Sequence, residues 1–158
     1  MRHSIATAVA DLESGVAHLK GQVSCMLLKI NQVDCAIDIA KSLLASTDRL
    51  MGGPQTNASS LSDLSCVHLK GELLRLIAVV EEGVRRILGL TGMLIDDVRQ
   101  RLLIISRGFC EFDSARGRLN ALKTVLDDVE SLCVSILARS SVQLLALDAL
   151  KQNKGALE

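Results

Sequence analysis

Five cysteines and three histidines have the strongest claim to chemistry in this sequence, because thiolates and imidazoles bind metals and act as nucleophiles and bases near neutral pH. Their spacing gives them little to do together. Cys66 and His68 are too close in the chain to point the same way on a helix, and no second pair at zinc-ligand spacing accompanies them. Cys25 and Cys35 fall on different faces of one helix, Cys110 follows Phe109, and Cys133 sits among apolar residues, where a thiol behaves as a small hydrophobe. Neither His3, His18 nor His68 is paired in the pattern with an acid or a nucleophile. Asp96-Asp97 and Asp127-Asp128 with Glu130 concentrate carboxylates, yet lack the Glu-x-x-His spacing of di-iron bundles and read as solvated faces. Gly52-Gly53 is not followed by Lys-Ser/Thr, so no phosphate-cradling loop forms there. The expectation is a chain with no catalytic residues, no metal, no cofactor and no small-molecule substrate, which is not an enzyme.

Composition narrows the partners. Eighteen basic residues balance eighteen acidic ones, leaving no net field to steer the chain toward nucleic acid. With no Trp or Tyr and only Phe109 and Phe112, bases have no aromatic platform to stack on. At 158 residues one domain suffices, and such a chain buries a core without disulfides or metal. An odd number of cysteines without tight pairing fits reduced thiols in a cytoplasmic, reducing compartment. On that reading the Asn57-Ala58-Ser59 acceptor carries no glycan, and secretion without a cleaved signal peptide remains compatible. The stretch after Arg2 and His3 reads as helix rather than as a signal peptide, and charges interrupt each apolar run before the ~20 residues of a membrane span.

The elements that position these residues are two long seams stepping by four and three. The first runs Ile5, Val9, Leu12, Val16, Leu19, Val23, Met26, Ile30, Val33, Ile37, Ala40, Leu44. With Val9 at heptad position a, β-branched residues dominate a and Leu is common at d, as in helices packed along their length. The spacing predicts helix 1 over about 4–51, a loop at 52–61 marked by Gly52-Gly53-Pro54, and helix 2 over about 62–107, capped by Ser60 or Ser62 with Asp63 in its first turn. Helix 2 carries two apolar stripes: Leu74, Ile77, Glu81, Val84, Leu88, Thr91, Ile95, Val98, Leu102, Ile105, Phe109, Phe112, and beside it Leu69, Leu73, Leu76, Val80, Gly83, Ile87, Leu90, Leu94. Gly108, Asp113 and Ser114 predict a turn at 108–113, and helix 3 follows over about 114–152 on Leu119, Leu122, Leu126, Val129, Cys133, Ile136, Leu144, Leu147 and Leu150. The fold class expected is all-α: a long antiparallel three-helix bundle with coiled-coil-like packing, in a single domain over 1–158. A fusion of helices 2 and 3 into one rod of ~135 Å is the alternative.

Apolar residues outside the seams are the candidate interface. Leu27, Leu28, Ile39 and Leu43 occupy outer heptad positions of helix 1, and Val134, Leu137 and Leu144 make a similar extra stripe on helix 3. The function expected is a protein–protein interaction module, that is, a scaffold, adaptor or assembly subunit binding a protein partner or its own copies through helix packing. Reversible membrane or lipid binding by amphipathic helices, and a secreted helical effector or its chaperone, are the competing readings.

Overall fold

The computed structural model describes the backbone of residues 2–52, 59–111 and 113–156, and side chains within 5–48, 67–108 and 114–152. All of it is helical: α1 (Arg2–Gly52), α2 (Ser59–Glu111), a single 3-10 turn (Asp113–Ala115) and α3 (Arg116–Ala156). The three helices pack against one another as an all-α three-helix bundle, with no strand among the described residues. Residues 53–58 of the loop predicted at 52–61, the acceptor Asn57 among them, and the side chains of His3, Ser60, Ser62, Asp63, Cys66, Phe109, Cys110 and Phe112 lie outside the described residues, while Gly52 and 59–61 are helical.

α1 follows its predicted seam. Val9, Val16, Val23, Ile30, Ile37 and Leu44 are all buried, as are Leu19, Met26 and Ala40, while Ile5, Leu12 and Val33 are half-buried. α2 corrects the reading of two stripes. Its core draws on both, taking Leu73, Ile77, Val80, Val84, Ile87, Thr91, Ile95, Val98 and Ile105, and leaves Leu74 and Leu90 exposed. A helix can turn one seam of two positions in seven fully inward, so two parallel stripes resolve into one zigzag. α2 also continues into the turn predicted at 108–113, ending at Glu111, and Gly108 is buried inside the helix. Gly108 follows the buried Ile105 by one step of the seam, where a missing side chain looks in the sequence like a slip of phase.

α3 corrects a second stripe. Its buried residues run Leu119, Leu122, Leu126, Val129, Cys133, Ile136, Ser140, Gln143, Leu147, Leu150, an unbroken heptad that passes through two polar residues. Leu144, placed on the seam by its type, lies half-buried beside it. Because α2 and α3 are separate helices joined by a turn, the single-rod alternative does not hold.

The chain divides into two compact units, residues 1–29 with 87–138 and residues 30–86 with 139–158. In the first, Glu13 of α1 pairs with Arg118 of α3, and Arg99 of α2 with Glu130 of α3 at 3.7 Å. In the second, Ile37, Ala40, Leu44, Leu73, Ile77, Val80, Val84, Leu147 and Leu150 form one core cluster. There Asp34 of α1 accepts from Arg139 of α3 at 2.6 Å, and Lys151 of α3 donates to Glu81 of α2. Glu13–Arg118 in the first unit and Asp34–Arg139 in the second each span 105 residues, a whole number of heptads.

Two glycines of α1 differ in what a methyl group would meet. At Gly15 a Cβ would run into the guanidinium of Arg101, which Asp97 holds at 3.0 Å, whereas at Gly21 it would meet nothing within 4 Å. Glycine inside a helix costs about 1 kcal/mol relative to alanine. Gly21→Ala is therefore expected to raise the unfolding free energy by about 0.5–1 kcal/mol in urea titration, and Gly15→Ala to gain less because Arg101 must move. Leu126→Ala, at a fully buried site, is expected to lower it by about 2–5 kcal/mol.

Candidate functional site

The groups with chemical potential are dispersed by these helices. Cys133 is fully buried at its core position, and burial, with the carboxylate of Glu130 nearby, pushes its thiol above the ordinary cysteine value, so it stays protonated and unreactive. Cys25 and Cys35 are free and exposed. Among the described residues, no group of three or more His, Cys, Asp or Glu side chains is arranged to hold a metal ion.

The polar groups that do meet are structural. Gln143 projects from α3 into the second unit and donates through Nε2 to the Ile30 carbonyl at 3.0 Å and to Asp34 Oδ1 at 2.7 Å. Arg139, one turn earlier, donates to Asn31 at 2.8 Å and to Asp34. Asp34 thus collects two donors from α3, and first Gln143, then Arg139, hold its carboxyl below the ordinary range. Arg118 does the same to Glu13, and Lys151 with Arg85 to Glu81. Oε1 of Gln143, and the hydroxyls of Ser140 and, in the first unit, Thr91, are buried without a hydrogen-bond partner. Burying such groups is unfavourable.

Of the residues proposed as an interface, Leu28, Ile39 and Val134 are exposed. Leu27 and Leu137 are half-buried, and Leu43 and Leu144 pack against the core cluster of the second unit. The bundle therefore covers part of the set itself. Sequence reasoning passed over the larger exposed apolar content: Val67, Leu74, Val79, Leu90, Met93, Leu103 and Ile104 on α2, with Leu132, Val142 and Leu145 on α3. The signal was present, since a seam that takes two positions in seven leaves other apolar residues outside.

One recess stands among them. In the first unit, Ala17, His18, Gly21, Gln22, Cys25 and Met26 of α1 and Leu90, Met93 and Leu94 of α2 line an open groove of about 530 Å³. Gly21 and Ala17 keep its floor low, and Met93, 70% exposed, and Leu90 form an apolar wall. A smaller recess of about 370 Å³ is lined by Ile5, Ala6, Val9, Ser114, Ala115 and Arg118. The larger one, although His18 and Cys25 border it, is lined mainly by apolar side chains and is shaped for apolar groups.

Asp34, Glu13 and Glu81 titrate lower in the folded chain than in the unfolded one, so the folded state binds fewer protons in acid. Their contribution is complete above the ordinary carboxylate values of about 4 and is lost as pH falls through the lowered folded values. The denaturation midpoint is expected to hold level from neutral pH to about pH 5 and to decline below it, less steeply in Asp34→Asn. Gln143→Leu removes a buried acceptor without a partner while Arg139 still serves Asp34, so stability is expected to stay within about 1 kcal/mol or rise; Gln143→Ala leaves a cavity and lowers it.

No protein-family profile, curated protein or solved structure matches this chain. What it does has to be read from its own surfaces.

Proposed function

We propose that this protein is a non-enzymatic helical-bundle interaction module: a scaffold, adaptor or assembly subunit of a reducing, cytoplasmic compartment that binds other helices, its own copies included, along apolar helix faces. The observation that carries this reading is the apolar surface the bundle leaves open, with Val67, Val79, Met93 and Leu145 each between 68% and 70% exposed. Single exposed apolar residues are ordinary, but Leu90 and Met93 stand exposed together on the wall of an apolar groove, and such patches mark interaction sites. The mechanism is packing of a helix into a groove, with geometry and a few flanking charges supplying specificity. Covering a Leu completely is worth about 1.5–3 kcal/mol, so a handful of such contacts holds a modest complex.

A second reading, reversible membrane binding, has one observation in its favour. α3 contains an 18-residue window of mean hydropathy 1.4, with 28% of it buried, long and apolar enough by composition to cross a bilayer. Arg139 and Gln143 lie in that helix, and their bonds to Asp34 and Ile30 tie it to α1. Leaving the bundle would strand them in hydrocarbon, so membership in the bundle is the stronger reading.

Photo-crosslinking in cells tests the choice. A crosslinking residue at Leu28, Met93 or Val142 is expected to give discrete protein adducts, identified by mass, and the same residue at Lys123 is expected to give none. Adducts to lipid from the apolar positions would favour the membrane reading, and equal labelling from Lys123 would overturn the interaction reading.

A further inference from the structure

Within the second unit, the outer flank of α2 carries a charge pattern that reverses about its centre. Stepping by three and four, the residues read Glu72, Arg75, Val79, Glu82, Arg86, all of them inside the unit of residues 30–86 with 139–158. They lie apart from the buried Leu73, Ile77, Val80 and Val84 of the same segment. The side chains of Glu72, Arg75, Glu82 and Arg86 are 43%, 78%, 68% and 78% exposed, and Val79 is 70% exposed. Outward from Val79 the charges run positive then negative in one direction, and negative then positive in the other. We propose that this strip is the surface on which the same strip of a second copy packs antiparallel, about a twofold axis through Val79.

The contacts follow from that centring. Val79 meets Val79 of the second copy, Glu72 comes level with Arg86, and Arg75 comes level with Gly83, one residue from Glu82. The twofold repeats each contact. Within one copy Glu72 lies 3.5 Å from Arg75, and Glu82 lies 3.7 Å from Arg86. Exposed pairs of that kind stabilise a lone helix only weakly. In the dimer they close into rings, because Glu72 and Arg75 of one copy with Glu82 and Arg86 of the other set four charges of alternating sign on each side of the axis. Each guanidinium has several N–H donors and each carboxylate two oxygens, so both neighbours are served at once. Gly83 presents no side chain where the stem of Arg75 crosses, and nothing stands within 4 Å of the place its Cβ would occupy.

Other arrangements of the strip are worse. A parallel pair sets each charge against its own kind. Sliding the antiparallel pair by about one turn brings Glu72 against Glu82 or Arg75 against Arg86, and sliding it by a heptad sets Val79 against Glu72 or Arg86. Charge complementarity thus selects one orientation and one register. An exposed valine alone would fit many partners, whereas charges that reverse about it fit another copy of the same segment. With one apolar residue at its centre, the strip supports a weak, salt-sensitive dimer rather than a permanent one.

The inference rests on the interaction reading, and its test separates the two. At low salt the full chain is expected to sediment as a reversible dimer of the 17.0 kDa subunit. Raising sodium chloride from about 0.05 to about 0.5 M is expected to weaken the association roughly 10-fold. Glu72→Arg and Arg86→Glu, each of which places like charges in contact twice, are expected to weaken it by roughly 10-fold at low salt, with helix content by circular dichroism unchanged. An equimolar mixture of the two variants is expected to recover wild-type association, because in the mixed dimer positions 72 and 86 again face each other with opposite charges at both contacts. Val142→Lys, outside the strip, is expected to associate like the wild type. The proposal is overturned if the wild type is monomeric at every attainable concentration, if salt leaves the association unchanged, if the single variants associate like the wild type, or if mixing them restores nothing. A monomer that still crosslinks to another protein through Leu28 or Met93 defeats the second copy alone. A monomer without such adducts defeats the interaction reading as well.

Discussion

Three helices lying side by side hide about two positions in every seven of each helix, and that limit governs this molecule. The chain is 49% apolar, well beyond what two positions in seven require. The seam is filled first: Val9 to Leu44 on α1, Leu73 to Ile105 on α2 and Leu119 to Leu150 on α3 turn inward with almost no interruption. What remains must lie on the flanks. Some of the surplus is absorbed there, as Leu43 and Leu144 show against the core of the second unit. The rest, concentrated on α2, is left at the surface, and the functional reading grows out of that remainder rather than out of any reactive group.

Filling the seam with aliphatic residues alone would favour burial but would not set the axial alignment of the helices, since Leu and Val pack acceptably in several registers. The polar exceptions supply alignment. Gln143 reaches the Ile30 carbonyl and Asp34 only at one sliding position of α3 against α1, and Arg139 meets Asp34 at the same position. Glu13 and Arg118 repeat the offset in the other unit. Exposed ion pairs of this kind contribute little to stability, so their weight falls on specificity. The buried Oε1 of Gln143 and hydroxyl of Ser140, left without partners, are the energetic penalty that accompanies it.

How much of this is legible in the sequence varies by helix, for a physical reason in each case. α1 can be read almost residue for residue because its seam from Val9 to Leu44 contains only apolar side chains, the buried Thr47 one step further being the exception. On α2, two apolar stripes one position apart are visible, but which members turn inward depends on where the neighbouring helices lie, and periodicity alone does not carry that information. Gly108 and the Ser140 and Gln143 positions escape for a shared reason: a core position occupied by glycine or a polar residue is silent in a hydrophobic pattern, although the heptad count continues through it. Of the expected interface residues, Leu28, Ile39 and Val134 are open, and Leu43 and Leu144 are covered by the bundle. Position on a heptad distinguishes a flank from a seam, but it does not tell a covered flank from a bare one.

Gly21 gives the surplus of apolar surface a direction. A helix of this length is stabilised by alanine over glycine, and nothing in the fold opposes a methyl group there. Packing within the chain therefore does not account for that glycine. Its absent side chain does deepen the groove beneath Leu90 and Met93. Depth at that point matters only if something enters it, and a flat helix flank would present Met93 to solvent without giving a neighbour any place to seat. A glycine that the packing of the chain does not require, with an apolar wall beside it, is the point at which the interaction reading meets the fold most directly, because alanine there would favour the helix and fill the groove.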